Sequence, residues 1–488
     1  MPGEILRHAF CLPEKKGFLP GILSCDKLVK EKSGGLLIIM KEQRKKHLFT
    51  NRQLAALLIP LALDQLLNSF MGTVDTLIVS NIGSAAISAV SLVDAINILI
   101  VEAFFALAAG GTVICSQYLG SKDVEKANEA AGQLVFVTFF LSLIMAVVCI
   151  IFHEPVLQLI FGEVEKEVMD NAKIYFLFSA VAFPFIALYD DGASILRAQE
   201  NSRLPMQISV LANVLNVVLN LLFVWGFHLG VGGSACATML ARAFAMIAVL
   251  YELRKPVWEI HLKRYFSIRP DWGQIKRILK IGIPSGIENS MFQFGKLAIQ
   301  STVSMMGTAA IAAQGMTNTI ENLNGIMAIG VGIGLMTVVG ECMGAGRKDE
   351  AVYYVKKLSV IGEVVVVISC LLLFALVHPI TYFGGMEPAS ASMCIFMVTC
   401  ITIVKPVVWT LAFIPAYGFR AAGDVRFSMV VSILSMWVFR VSLVMVLARV
   451  FGMGPIAVWI GMFTDWTVRA IVFTVRLRSR KWLEHRVI

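Results

Sequence analysis

The sequence predicts an all-α polytopic membrane protein with twelve transmembrane helices in two pseudo-symmetric six-helix lobes. Three observations carry that prediction. Hydrophobic residues make up 57% of the 488 positions and charged residues only 15%, with a mean hydropathy of +0.77. A soluble chain of this length needs far more charge to cover its surface. Apolar runs of about 18 or more residues recur, each long enough to cross about 30 Å of hydrocarbon as a helix. The chain also repeats itself. Moved by 224 residues (306 − 82), Ile82–Ala127 falls on Met306–Ala351, so that IGSAAISA meets MGTAAIAA and QYLGSKDVEKA meets ECMGAGRKDEA without a gap. Pro60 meets Pro284 at the same offset, and Arg197-Ala198 meets Arg420-Ala421 at an offset of 223.

In chain order, residues 1–49 read as an N-terminal cytoplasmic extension. Residues 1–39 have no apolar core of signal-peptide length and no counterpart in the second half. Met40 opens a basic, amphipathic lead-in, KEQRKKHLFTNRQL, and is expected to be the native start, with 1–39 non-native or dispensable. Residues 50–252 form the first lobe, with spans near 54–79, 86–115, 131–152, 171–196, 206–226 and 233–252. A basic cytoplasmic linker, 253–279, leads to the second lobe, 280–476. Its spans lie near 280–303, 310–338, 357–378, 392–418, 427–448 and 455–476, and a cytoplasmic tail, 477–488, follows.

Charge sets the expected orientation. Lys122, Lys126, Arg197, Arg203, Arg347, Lys348, Lys356, Lys357, Arg420 and Arg426 occupy alternate loops, while the intervening stretch Glu154–Asp170 is acidic. By the positive-inside rule both termini are cytoplasmic. This pattern accounts for the net charge of +9 without any nucleic-acid partner. An even number of spans makes the halves parallel repeats, an arrangement suited to a transporter that rocks two lobes about a central cavity in a cell membrane.

Enzyme classes find little support. Nine cysteines show no CxxC spacing and read as small buried hydrophobes, and seven histidines form no HExxH or other ligand pair. No GxxxxGK[ST] loop is present, and the lone Asp190-Asp191 does not make a DDxxD motif. No cofactor and a monomeric chain are expected, with the bilayer as partner.

Ionisable residues inside the spans are the candidates for chemistry, because such groups are retained mainly where they face a cavity or a partner. Asp75 lies in the outer third of the first span. Asn216 and Asn220, four apart, share one face of the fifth span. A rise of about 1.5 Å per residue puts Asp75, Asn220 and Thr238 at similar depth. One carboxylate among neutral oxygens suits Na⁺, and the same carboxylate suits H⁺. The amides and hydroxyl would equally serve as hydrogen bonds between helices. Asp94 and Asn97 mirror Asn318 and Glu321 at the repeat offset, giving the second and eighth spans equivalent polar faces. Glu102, Lys296, Lys405, Arg440 and Asp465 are further intramembrane charges, and Lys405 and Arg440 are expected to neutralise Glu288 or Glu321. Asp190 and Asp191 are expected to pair near the helix end with Arg197. Gly330, Gly332 and Gly334 mark close helix approach or a flexible point. The 23 Met and 31 Phe suit an adaptable pocket for flat apolar cations, though most must face lipid or neighbouring helices.

Several segments, in order over about residues 50–478, resemble the multidrug and toxic compound extrusion (MATE) family. They are IPLALDQLLNSFMGTVDTLIVSNIGSAAISAVSL with its echo IPSGIENSMFQFGKLAIQ and MGTAAIAAQGM, SQYLGSKDVEKA, ILRAQENSRLP with GFRAAGDVRF, and LNVVLNLLFVWGFHLGVGGSACAT. The resemblance implies an antiporter that exports cationic amphipathic compounds against inward Na⁺ or H⁺. It carries the family's first-lobe cation site onto Asp75, Asn216, Asn220 and Thr238, with Na⁺ on Asp75. Asn220 departs from the family, which often has an aspartate there; the lost charge weakens Na⁺ binding and leaves H⁺ coupling open. A second-lobe site of the family is incomplete, because Glu288 lies about one turn early and the tenth span has no Asp. A related two-lobe flippase for lipid-linked oligosaccharides is the alternative, and would carry a more basic central cavity.

Overall fold

The structure, a computed structural model, describes residues 47–162, 164–263, 265, 268–485 and 487–488. The expected start at Met40 and the extension before it lie outside the described residues. All elements below belong to the unit Phe49–Ile488.

The first half contributes α1 (Asn51–Ser80), α2 (Ser84–Gly120), α3 (Val124–Ile151), a short α4 (His153–Phe161), α5 (Lys166–Ala198), α6 (Arg203–Gly226) and α7 (Gly230–Leu253). The second contributes α8 (Trp272–Val303), α9 (Thr308–Gly344), α10 (Lys348–Phe383), α11 (Pro388–Ala421), α12 (Val425–Arg449) and α13 (Ile456–Ser479). Thr50 starts α1 with a reciprocal capping box to Gln53, which satisfies two otherwise orphan backbone groups. The turns before α2 and α9 use Gly83 and Gly307, both at positive φ and related by the repeat offset.

Among the described residues eleven helices are long and apolar enough to cross a membrane. The expected seventh span is α8, a helix of matching length that is too polar to count by composition. Glu288, Asn289, Gln293 and Lys296 give it that polarity, and all four line internal cavities. Polar groups within a span are retained mainly where they face a cavity or a partner.

In the first lobe α5 packs against α2, α3 and α7; in the second, α11 packs against α9, α10 and α13. The lobes meet through α2 on α8 and through α9 on α1 and α2. Close approach depends on glycine at two repeat-related positions. A Cβ on Gly120 would overlap the Glu341 carbonyl, and one on Gly344 would overlap the Gln117 carbonyl. Gly110 and Gly282 lie where α2 meets α8, and Gly330 and Gly334 sit against Ala62 and Leu58 of α1. These contacts all fall in the halves of the helices nearest the basic loops, so the lobes are closed together at the basic face. Gln117 fastens that face by donating to the Ala421 carbonyl at 2.7 Å, and Thr337 donates to the Arg197 carbonyl at 3.3 Å. The Gly330–Gly334 stretch is therefore a packing surface within the unbroken α9, not a break in it.

Candidate functional site

In the first lobe a cavity of about 220 Å³ lies among α1, α2, α5 and α7. Asp75, Asp94, Asn97, Tyr175, Thr238 and Arg242 line it. The four residues singled out for cation coupling form one hydrogen-bonded chain. Asn220 donates to Asp75 Oδ1 at 3.2 Å and to Asn216 Oδ1 at 2.6 Å, and Asn216 donates to Thr238 Oγ1 at 3.1 Å.

Local structure explains why Asn220 can reach both ways. Immediately after it, Leu221–Gly226 winds as a π-helix. Such widened turns shift side chains out of α register and recur at functional sites. Asn220 is fully buried, and its Oδ1 has no hydrogen-bond partner among the described residues. That leaves an orphan hard oxygen next to the Asp75 carboxylate, the kind of oxygen donor that hard cations take.

Asp94 faces the same cavity and accepts from Asn97 and from the Tyr175 hydroxyl, each at 3.3 Å. Asn97 also donates to Ser179 at 3.1 Å, tying α2 to α5. Arg242 was not singled out in the sequence. It lies eleven residues before the basic linker (253 − 242), close enough to be taken for part of that cluster. The helix instead turns it into the cavity that Asp75 and Asp94 also line.

The second lobe holds a larger cavity of about 420 Å³. Lys296, Asn318, Glu321, Trp409, Arg440 and Trp466 are among its walls. Asn318 and Glu321 thus occupy the second-lobe places that Asp94 and Asn97, in that order, occupy in the first. Lys405, fully buried, pairs with Glu321 at 2.8 Å and lies over the rings of Trp409 and Trp466 at 5.1 and 6.0 Å. Asp465 pairs with Arg469 at 2.7 Å and reaches Arg440 only at 4.0 Å. An adjoining cavity of about 250 Å³ shares Phe292, Gln293, Lys296, Phe413 and Tyr417 with the larger one. There Glu102, from the first lobe, accepts from Asn289 at 2.8 Å.

Two expected pairings are corrected. Glu288 is neutralised by Arg420 at 2.8 Å, while of its expected partners Lys405 pairs with Glu321, as the alternative expected, and Arg440 faces Asp465. Arg197 pairs with Asp64 at 3.4 Å, not with Asp190 or Asp191, and the fully buried Asp191 carboxylate has no hydrogen-bond partner among the described residues. One physical reason covers both corrections. Asp64 and Glu288 are repeat equivalents (offset 224), as are Arg197 and Arg420 (offset 223), so each lobe folds the same bond between its first and fourth long helices. The offsets were legible in the sequence; which partner each arginine takes was not.

The family model described as MatE matches the chain twice, over residues 60–222 and 284–446. The two matches are displaced by 224 at both ends, the offset of the internal repeat. The chain is similar to "Uncharacterized transporter YisQ" of Bacillus subtilis, 28% identical over 435 residues, covering 87% of this chain and 93% of the relative. It is also similar to "Probable multidrug resistance protein NorM" of Thermotoga maritima, 24% identical, covering 90% and 94%. Among solved structures, a multidrug resistance MATE family transporter of the MOP superfamily in its outward-facing conformation superposes with a TM-score of 0.80 at 21% identity, covering 88% of this chain and 96% of that one.

Proposed function

Because the chain belongs to the MatE family of multidrug efflux transporters, we propose that it is a secondary antiporter exporting small amphipathic compounds in exchange for inward Na⁺ or H⁺. The observation that supports this reading best is the buried chain Asp75–Asn220–Asn216–Thr238 with its spare acceptor oxygen.

Asp75 holds the coupling cation, as Na⁺ or as a proton on the carboxyl. Asn220 orients the carboxylate and offers its own Oδ1. Asn216 and Thr238 fix the Asn220 amide, so that occupation of Asp75 is felt on α1, α6 and α7 together. Exchange requires that cation and substrate oppose each other's binding, and that coupling is reciprocal. The first-lobe cavity, where Asp75 and Asp94 outnumber Arg242, suits the cationic substrates that the family resemblance implies.

With the basic loops in the cytoplasm, the closed basic face makes this the outward-facing state, ready to release substrate and take up cation. Both termini are then cytoplasmic, and the membrane is the plasma membrane.

The test is ethidium export from proteoliposomes under an imposed Na⁺ gradient or an imposed pH gradient. One of the two gradients should drive export by the parent chain, and Asp75→Asn should abolish it while leaving size-exclusion behaviour unchanged. Equal export by Asp75→Asn would overturn the assignment of the coupling site. Absence of export under either gradient would overturn gradient-driven drug antiport.

A further inference from the structure

We infer that the second-lobe cavity is a subsite for an anionic group on an aromatic body, so that the substrates include aryl carboxylates and aryl sulfonates that carry no cationic group. The inference rests on the reading that the chain is a transporter, and it specifies a substrate class for a cavity that the cation site does not use.

Charge accounting carries the argument. Lining the cavity or buried directly behind it are four cations, Lys296, Lys405, Arg440 and Arg469, against two carboxylates, Glu321 and Asp465. Glu321 is already satisfied by Lys405 at 2.8 Å, whereas Arg469 takes only the Oδ1 of Asp465 at 2.7 Å and the Oδ2 faces Arg440 at 4.0 Å with no hydrogen-bond partner among the described residues. Glu288 and Arg420 cancel in the adjoining cavity, and Glu102 removes one unit there, which leaves an excess of one cation over the two spaces. The first-lobe cavity has the opposite sign, with Asp75 and Asp94 against Arg242.

Two side chains are left to meet a ligand. No carboxylate lies within ion-pair distance of Lys296 among the described residues, and its Nζ rests 5.1 Å from the Phe292 ring centre. Arg440 is 5% exposed, touches Asp465 only at 4.0 Å, and has an Nε with no hydrogen-bond partner among the described residues. The widened segment Ser435–Val441, a π-helix, carries Arg440 to the cavity wall. A planar guanidinium and a lysine ammonium facing one cavity match a carboxylate or sulfonate. Phe292, Trp409, Phe413, Tyr417 and Trp466 supply flat apolar walls for the ring. A volume of about 420 Å³ suits a drug-sized molecule.

The experiment measures equilibrium binding of two labelled isosteres, naphthylacetate and naphthylmethyl-trimethylammonium, to the full chain in nanodiscs. Naphthylacetate should bind, and Lys296→Gln should weaken it about tenfold, the loss of one charged hydrogen bond. Lys296→Arg should restore binding, and the trimethylammonium probe should be insensitive to both changes. Arg440→Gln, checked for folding by size exclusion, should act like Lys296→Gln. Failure of naphthylacetate to bind, or binding unchanged in Lys296→Gln, overturns the inference.

Repeating the measurement in nanodiscs with and without anionic lipid separates the sources of the anion. Competition by the lipid makes a lipid headgroup the natural occupant, whereas indifference to it makes the occupant a soluble compound. Saturable, Lys296-dependent binding with no gradient-driven transport of any probe would sink the antiporter reading and keep this one. Asp75-dependent ethidium export with no anion binding would do the reverse.

Discussion

At the residue scale the buried charges fall into two kinds. Most are closed pairs, and breaking one strands its partner. Glu288→Gln leaves Arg420 without its carboxylate, and a stranded buried charge costs about 3 kcal/mol. The apparent melting temperature in detergent should drop, and the double change Glu288→Gln, Arg420→Met should recover most of the loss; no recovery would mean that the pair is not the cause. Asp64→Asn should behave in the same way toward Arg197. Asp75 is of the other kind, held by an amide and, among the described residues, by no cation within ion-pair distance. Asn220→Asp puts a second carboxylate beside it, and the half-saturating Na⁺ concentration for transport should fall roughly tenfold, since ligand charge tunes such sites. An unchanged Na⁺ dependence in a Na⁺-driven transporter would remove Asn220 from the site.

At the element scale the two π-helical segments and the two interface glycines have the most consequence. Leu221–Gly226 and Ser435–Val441 interrupt α6 and α12 next to Asn220 and around Arg440. No propensity in apolar sequence announces such an interruption, because it depends on what the neighbouring helices require. The glycines, by contrast, stand out in the repeat. Gly344→Val puts a branched side chain against the Gln117 carbonyl and should hold α2 and α9 apart at the basic face. Ser116, fully buried in the closed arrangement, reports on this. Maleimide labelling of Ser116→Cys, above the background of the native cysteines, should be low in the parent and several-fold higher with Gly344→Val. Equal labelling would mean that α9 yields elsewhere.

At the scale of the whole molecule the two lobes share a plan and differ in charge. The same helix pairs touch within each, the same arginine–carboxylate bond recurs, and the lobes meet at one face through repeat-related glycines. Rocking the lobes apart at that face must break the Gln117–Ala421 bond and the bonds of Tyr118 to Gln274 and Arg277. Spin labels at Ser121→Cys and Ala345→Cys should give a short distance when the coupling ion is saturating. A second, longer population should appear when substrate is added without the ion. One distance under all conditions would argue against rocking at this interface.

The sequence by itself determined the helical class, the long helices, the duplication with its offset of 224, and the polar residues of the first-lobe chain. Those follow from hydropathy and from depth along a helix of known rise, which are properties of one segment at a time. Only the tertiary structure decided which arginine meets Glu288, that α8 is polar because it faces cavities, that Arg242 turns inward, and that the two lobes carry cavities of opposite sign. Each of these depends on which helices face each other across a few ångströms, and an intramembrane charge is stable or costly according to that neighbour alone.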